Sequence, residues 1–542
     1  MSHRRLSPAA RLNSTLPNTM HIPSVSRLST LRSDVFAGIV VFLVALPLCL
    51  GIATASGATP FAGLVSGIVG GLVVALLSGS HLSVSGPAAG LVVIVVSAIA
   101  SLGSFSAFLA AVLVAGALQI GFGLLRAGRL ASFVPVAVIK GMLASIGIIL
   151  IIKQIPLGAG LITGAQADAS HAATLVTAFG RVSLVPIVLT VVSIALLFAW
   201  ETARAKRFAI TRMLPGPLAV VALGIGVTLA LDLLEPTVGL PAEHRVSLVA
   251  LNSIDAVASA ISMPDFTQLV DADVWRVALT LAVVASLETL LSLEAVEQID
   301  PKRHRASPDR ELKAQGVGNM VAALLGGLPL TAVIVRSSAN VHAGAQTRMS
   351  AVIHGVLLLA SVFALTAVLN LIPLACLAAI LIHTGYKLAK PALFMAMARE
   401  GVDRFLPFVA TIAGVLATDL LIGIGIGIAT SALLAMRANL SHTFTLTRHD
   451  DHYLLCLRKD ATFLSKPMLM RCLRQIPDRA TLLIDAQRAD FIDRDIRETL
   501  DAFASEAARR KITVERLRWP RPVMQERRSS AMFAFARQPK PE

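Results

Sequence analysis

From Asp34 to about residue 437 the chain alternates long apolar runs with short polar connections. Runs near 20 residues match the length a helix needs to cross a bilayer. The pattern predicts fourteen membrane segments. The first seven cover 34–55, 60–79, 83–102, 105–125, 133–155, 172–199 and 214–234. The second seven cover 272–299, 309–325, 328–345, 350–371, 373–394, 404–420 and 421–437. Twelve read as continuous helices. The third and the tenth are interrupted.

The tenth lies within Gly326–Ala345, GGLPLTAVIVRSSANVHAGA. It opens on glycines and a proline, runs through β-branched Thr331, Val333, Ile334 and Val335, and turns polar at Arg336-Ser337-Ser338. The third contains Ser83-Val84-Ser85-Gly86-Pro87-Ala88-Ala89-Gly90, again extended, with Pro87 at a plausible first helical position. Irregular backbone survives at membrane depth only where protein buries it or where it lines a watery cavity. Two Gly/Pro-broken segments at matching places in two halves point to an inverted repeat with a midplane binding site. Short strands over 82–85 and 332–335 are expected to pair there. Half-helices starting at Pro87 and Ser337 would then aim their positive ends at one cavity. Arg336 stands at the second start, and Ser85, Gly86, Pro87, Ala88, Ser337 and Ser338 complete the candidate anion-binding set.

Outside this region the pattern changes. Residues 1–33 are polar and carry five arginines without an acid, which predicts a cytoplasmic arm. From about 448 to 517, Tyr453–Leu457, Thr481–Asp485 and Ile512–Leu517 read as strands. Ser465–Gln475 and Arg494–Arg510 read as helices, so a small cytoplasmic α/β domain is expected. The Pro/Arg-rich stretch 518–542 reads as a disordered basic tail. The expected fold class is thus an all-α polytopic membrane protein with one α/β appendix.

Composition agrees: 55% of the 542 residues are hydrophobic and 15% are charged. The net charge of +15 does not indicate a nucleic-acid partner, because the basic residues sit in short loops and at the ends. Arg126 and Arg129 follow segment four, Arg204, Lys206, Arg207 and Arg212 follow segment six, and a further cluster from Lys302 to Lys313 follows segment eight. The loop 232–273 instead carries seven acids against Arg245. By the positive-inside rule both termini are cytoplasmic, in a cell inner (plasma) membrane. The four cysteines have neither metal-ligand spacing nor a disulfide pattern.

Charges inside apolar helices narrow the chemistry, since each costs at least ~2.5–3.5 kcal/mol to insert. Segment eight carries Glu288, Glu294 and Glu297, and Glu297 lies three residues before Asp300. A cavity-facing role in binding a driving ion suits Glu288 and Glu297; an ordinary helix-end charge also suits Glu297 with Asp300. Arg336 has few structural explanations, being far from any span end. His342 and His354, twelve apart, read as packing or hydrogen-bonding residues rather than metal ligands. Asp419 suits a helix cap. Gly63, Gly67 and Gly71 let another helix come close.

Ser83–Gly90, Ser286–Asp300 (SLETLLSLEAVEQID), Gln315–Asn319 (QGVGN) and Gly326–Ala345, in this order, resemble the SulP family of anion transporters, relatives of prestin and pendrin. The resemblance covers about Asp34 to Leu517. It implies a seven-plus-seven inverted repeat, with a core of segments 1–4 and 8–11 moving against a gate, and a C-terminal STAS domain. It also implies a homodimer and a small-anion substrate (sulfate, bicarbonate, chloride or dicarboxylate), coupled to Na+ or H+ with no other cofactor. The family's substrate-facing arginine falls on Arg336, its sodium-linked acid on Glu297 and the nearby hydroxyl position on about Asp300. The texture of Ile299–Arg305 (IDPKRHR) and Ile152–Pro156 (IKQIP) resembles the branch linked to carbonic anhydrases, which favours bicarbonate and makes a carbonic anhydrase a candidate partner. Two departures stand out. Leu46–Ile52 (LPLCLGI) lacks a polar and an aromatic group usual in the first segment. Arg494, not Ser or Thr, follows Asp493 where the STAS phospho-acceptor is usual.

The reading is therefore a secondary active carrier of small oxyanions, with sulfate and bicarbonate undistinguished and dicarboxylates open. An uncoupled channel or exchanger on the same fold is the alternative. An enzyme is disfavoured, because no Walker loop, nucleophile elbow or metal cluster is present in the sequence. A nucleobase carrier would have little use for an arginine at the half-helix start.

Overall fold

The computed structural model describes residues 27–128, 134–161, 184–202, 215–234, 240–249, 259–440, 443–489 and 491–517, together with Arg207 and Ala256. The expected arm over 1–26, the start of the sixth segment (172–183), the tail 518–542, and Arg129, Arg204, Lys206, Arg212, Glu235 and Asp255 lie outside the described residues. The chain divides into two compact units, Met1–Met395 with Ile412–Ile424, and Ala396–Thr411 with Gly425–Glu542.

The first unit begins with α1 (Arg27–Ala55), so residues 27–33 are helical and the arm is shorter than the sequence predicts. Asp34 in α1 accepts hydrogen bonds from the Gln346 and Thr347 amides, which gives this intrahelical acid a structural function. α2 (Pro60–Val69) starts on proline, whose missing N–H costs nothing in a first turn. It continues through a π-helical turn at Gly70–Val74 to Leu77. Strand β1 (Ser85–Pro87) follows, then a 3-10 turn, Ala89–Leu91, leading into α3 (Val92–Leu102). Next come α4 (Phe105–Leu124), α5 (Val136–Gly158), α6 (Leu184–Trp200) and α7 (Gly216–Leu234).

The second half opens with α8 (Ala272–Ile299) and α9 (Pro308–Leu324), the latter capped by Ser307 Oγ, which accepts from the Arg310 amide. β2 (Leu330–Ala332), α10 (Ile334–His342), α11 (Met349–Ala364) and α12 (Leu374–Leu388) follow. After a short helix, Pro391–Arg399, come α13 (Val402–Ala417) and α14 (Leu420–Leu440). Asp419 Oδ1 accepts from the Ile422 amide at 2.8 Å, capping α14 as its sequence position implies. Among the described residues, seven helices are long and apolar enough to cross a membrane: those within α1, α2 with its continuation, α4, α5, α7, α8 and α14.

Glycines decide which helices touch. A Cβ on Gly116 of α4 would lie 2.7 Å from the Gly316 carbonyl oxygen of α9, and one on Gly316 would lie 2.6 Å from that of Gly116. Gly147 of α5 and Gly385 of α12 oppose one another in the same way, as do Gly71 of α2 and Gly355 of α11. In lipid, where tails are as apolar as leucine, close backbone approach is a main source of helix association.

The second unit contains a four-stranded sheet in the order β3 (Phe444–His449), β4 (His452–Leu457), β5 (Thr481–Asp485), β6 (Thr513–Leu517). β3 and β4 are antiparallel; the other pairs are parallel. α15 (Lys466–Arg474) and α16 (Arg494–Ala507) complete it. The core is Leu455, Leu482, Ile484, Leu469, Ile496 and Leu500 with their neighbours. Three strands and both helices match the sequence expectation. β3 does not: the fold of this domain starts at Phe444, before residue 448. Its hairpin turns on Asp450-Asp451, with Asp450 at φ 52°, a left-handed value that a short polar residue tolerates.

Candidate functional site

The two interrupted segments meet. β1 and β2 are antiparallel, with Ser85 opposite Ala332, Gly86 opposite Thr331 and Pro87 opposite Leu330. The pairing matches the expectation, but the strands are displaced from 82–85 and 332–335, and the helices start at Ala89 and Ile334 rather than at Pro87 and Ser337. The reason lies outside both segments. Asn319 of α9 accepts from the Leu330 amide at 2.7 Å and donates to the Leu330 carbonyl at 3.1 Å. Gln315 donates to Ser85 Oγ at 2.7 Å, the Ala332 amide donates to Thr289 of α8 at 3.3 Å, and Asn340 donates to the Leu82 carbonyl at 3.0 Å. Lipid would leave these backbone groups unpaired, so polar side chains from three helices set the register.

A cavity of about 360 Å3 opens where the half-helices start. Ala89 and Gly90 line it from one side and Val333, Ile334, Val335 and Arg336 from the other. Neither helix start has a side-chain cap, so the first-turn amides are not satisfied by a capping side chain. Leu48 and Ile52 of α1, from the LPLCLGI run, add apolar wall; Ser292 and Thr384 add hydroxyls. None of these four, nor Gly90, belongs to the candidate binding set read from the sequence. Apolar and small residues in an apolar helix carry no signal of which face meets a cavity.

Arg336 sits in the first turn of α10, fully buried. Its Nε, Nη1 and Nη2 hydrogen-bond to no described group. A Cβ on Gly86 would overlap Nη1, so the guanidinium rests on the β1 backbone and would have to move for any larger residue there. Ser337 is spent structurally: its Oγ donates to the Val333 carbonyl at 2.8 Å and accepts from the Val84 amide at 2.9 Å. Ser338 is half-buried and outside the cavity lining. Ser85, Gly86 and Pro87 form β1 and Ala88 follows it; none of the four lines the cavity, and Ser85 accepts from Gln315.

The acids separate. Glu288 lines the cavity; its carboxyl oxygens would lie 2.8 and 2.9 Å from a Cβ on Gly90, and Oε2 has no hydrogen-bond partner among the described residues. Glu294 lines the cavity near its exposed side. Glu297 is turned to the loop, where its Oε1 accepts from the Ala306 amide at 2.8 Å. Asp300 ends α8 and accepts from the Lys302 and His304 amides at 2.8 and 2.9 Å and meets the His304 ring at 2.9 Å. Neither lines the cavity.

Burial alone would push the Asp300 carboxyl up, but the two amides and the His304 ring outweigh it and hold it below the ordinary carboxylate range. A depressed carboxylate contributes stability above its unfolded pKa and loses it as pH falls through the folded one. Asp300→Asn should therefore lower thermal stability at pH 7, and the difference from wild type should close below about pH 4. Thermal scans of the purified protein across that range check it.

These features define a multi-pass membrane protein whose two discontinuous segments face each other across a cavity lined by the buried Arg336 and by Glu288 and Glu294. The chain belongs to the sulfate permease family, whose model matches residues 31–438. It is 28% identical to the putative sulfate transporter YvdB of Bacillus subtilis over 436 residues, 80% of this chain and 78% of that one. It is 26% identical to the bicarbonate transporter BicA of a Synechocystis species, over 77% of this chain and 72% of that one. Among solved structures, the transmembrane domain of a cyanobacterial BicA superposes with a TM-score of 0.58 at 23% identity, covering 74% of this chain and 97% of that one. The anion transporter SLC26A9 superposes with a TM-score of 0.71 at 15% identity, covering 90% and 84%. At these identities the likeness speaks to the fold.

Proposed function

We propose that this protein is a secondary active transporter of small inorganic oxyanions of the sulfate or bicarbonate class, coupled to a proton or sodium ion. The observation that carries the reading is Arg336: a buried guanidinium whose three nitrogens have no hydrogen-bond partner among the described residues. A buried charge without a partner is costly, and a bound anion relieves that cost. Two half-helix starts add positive potential beside it, in place of the water that a dehydrated anion gives up. The names of the relatives support the same substrate class.

Glu288 is the best candidate for coupling, ahead of Glu297 and Asp300. It shares the cavity with Arg336, and a carboxylate beside a bound anion repels it unless a proton or cation neutralises it. Anion and coupling ion then raise each other's affinity by the same factor. In proteoliposomes loaded with labelled sulfate or bicarbonate gradients, Glu288→Gln should retain exchange and lose gradient-driven accumulation. Glu297→Gln, which keeps an acceptor for Ala306, should leave coupling unchanged. Current or exchange with no dependence on pH or sodium in the wild-type protein would favour the uncoupled channel or exchanger instead, and succinate uptake a dicarboxylate carrier.

The helix contacts support a seven-plus-seven repeat. If each helix n corresponds to n+7, the Gly116–Gly316 contact of α4 with α9 corresponds to the Gly355–Gly71 contact of α11 with α2. The α5–α12 pair and the β1–β2 pair each map onto themselves. In this reading fourteen segments alternate across an inner membrane, with both termini cytoplasmic. The core holding β1 and β2 moves against a gate, and the C-terminal α/β domain is a STAS domain. Arg494, exposed and paired with Glu498 at 2.8 Å, stands at its usual phospho-acceptor position. A homodimer, with carbonic anhydrase as a further partner, completes the proposal.

A further inference from the structure

Thr331, the middle residue of β2, is fully buried, and its Oγ1 has no hydrogen-bond partner among the described residues. Hydroxyls around it are engaged: Ser85 accepts from Gln315, Thr289 accepts from the Ala332 amide, and Ser337 bonds to Val333 and Val84. In a helix a threonine hydroxyl donates to the preceding turn, as Thr54 and Thr384 do. A strand offers no such acceptor, and a buried hydroxyl left unpaired is costly.

The strand register decides what this hydroxyl stands beside. Thr331 is directly opposite Gly86, and directly opposite residues of an antiparallel pair project from the same face. Arg336 Nη1 takes the place that a Cβ on Gly86 would occupy. The guanidinium is therefore the cross-strand neighbour of Thr331, while Ser85, one residue along, turns to the other face and meets Gln315. Cross-strand side chains start about 4.5–5.5 Å apart. Two hydrogen bonds of about 2.7–3 Å, end to end, bridge that separation, so a single anion can engage both groups. Arg336 joins this face to the cavity, because it also belongs to the lining; Thr331 lies behind it. We infer, on the anion-transport reading, that Thr331 is a second side-chain ligand of the oxyanion: the anion pairs with the Arg336 guanidinium and accepts a hydrogen bond from Thr331 Oγ1. The guanidinium and the half-helix amides only donate, whereas a hydroxyl also accepts. Thr331 thus suits both sulfate, which has no proton to give, and bicarbonate, which carries an O–H. It takes up no proton itself and leaves coupling to Glu288.

The test is titration calorimetry and thermal scanning of the full-length protein in detergent, with sulfate and, separately, bicarbonate. Thr331→Val keeps the branched shape and removes the hydroxyl. It should weaken binding of both anions about tenfold or more. Thr331→Ser, which keeps the hydroxyl, should stay within about threefold of wild type. The melting temperature of anion-free Thr331→Val should hold or rise, because the group removed has no partner inside the protein. A clear fall in that temperature would show the hydroxyl bonded within the fold and overturn the inference. Wild-type affinity in Thr331→Val, or equal losses in the valine and serine variants, also overturns it while leaving Arg336 as the anion's partner. If neither anion binds the wild-type protein, the anion-transport reading itself falls.

Discussion

Replacing Arg336 with methionine should weaken anion binding by roughly 10- to 150-fold, the loss of about 1.5–3 kcal/mol expected for a charge-assisted hydrogen bond. It should do so without unfolding the protein. The guanidinium has no hydrogen-bond partner among the described residues, so its removal leaves no carboxylate uncompensated. Replacing unpaired buried charge by an apolar chain of similar length is neutral or stabilising. The apo protein's melting temperature should therefore hold or rise, while the increase that sulfate produces in wild type disappears. Arg336→Lys should recover part of the affinity, because an ammonium keeps the charge and loses the planar fork that grips an oxyanion. Titration calorimetry and thermal scans on the three proteins decide it. Wild-type affinity in the methionine variant would mean that the anion sits elsewhere.

Gly70→Ala should be among the most damaging small substitutions in the first unit. Gly70 opens the π-helical turn of α2 directly against β1, and a Cβ there would collide with the Ser85 carbonyl. That obstacle is backbone, held on its far side by pairing with β2, so it has no rotamer to retreat into. Overpacking of this kind costs about 1–3 kcal/mol where it can relax at all, and relaxation here means pushing β1 off its partner. Loss of both thermal stability and uptake is expected. Gly86→Ala makes an instructive contrast. Its new methyl would meet the end of the Arg336 side chain, which can move, so stability should largely survive while anion affinity changes. If Gly70→Ala transports and melts like wild type, the strand pair does not depend on that contact.

Much of this molecule is local in origin and so legible along the chain. Apolar runs of spanning length, two interruptions rich in glycine and proline, and a change of composition and pattern after about residue 448 are properties of neighbours in sequence. They point to the helices, the meeting of segments three and ten, the C-terminal α/β domain and the importance of Arg336. What they leave open is decided by side chains of other elements. The register of β1 on β2 depends on Gln315 reaching Ser85 and on Asn319 holding Leu330, so the strands formed a few residues away from where their own β-branched residues placed them. The fate of the acids on α8 was likewise tertiary. Glu288 and Glu297 look alike in sequence, yet the loop after α8 folds back to occupy Glu297 and Asp300, leaving Glu288 to face the cavity. Periodicity assigns a side chain to a face of its helix, but only the packing of other elements decides whether that face meets lipid, a loop or a charge.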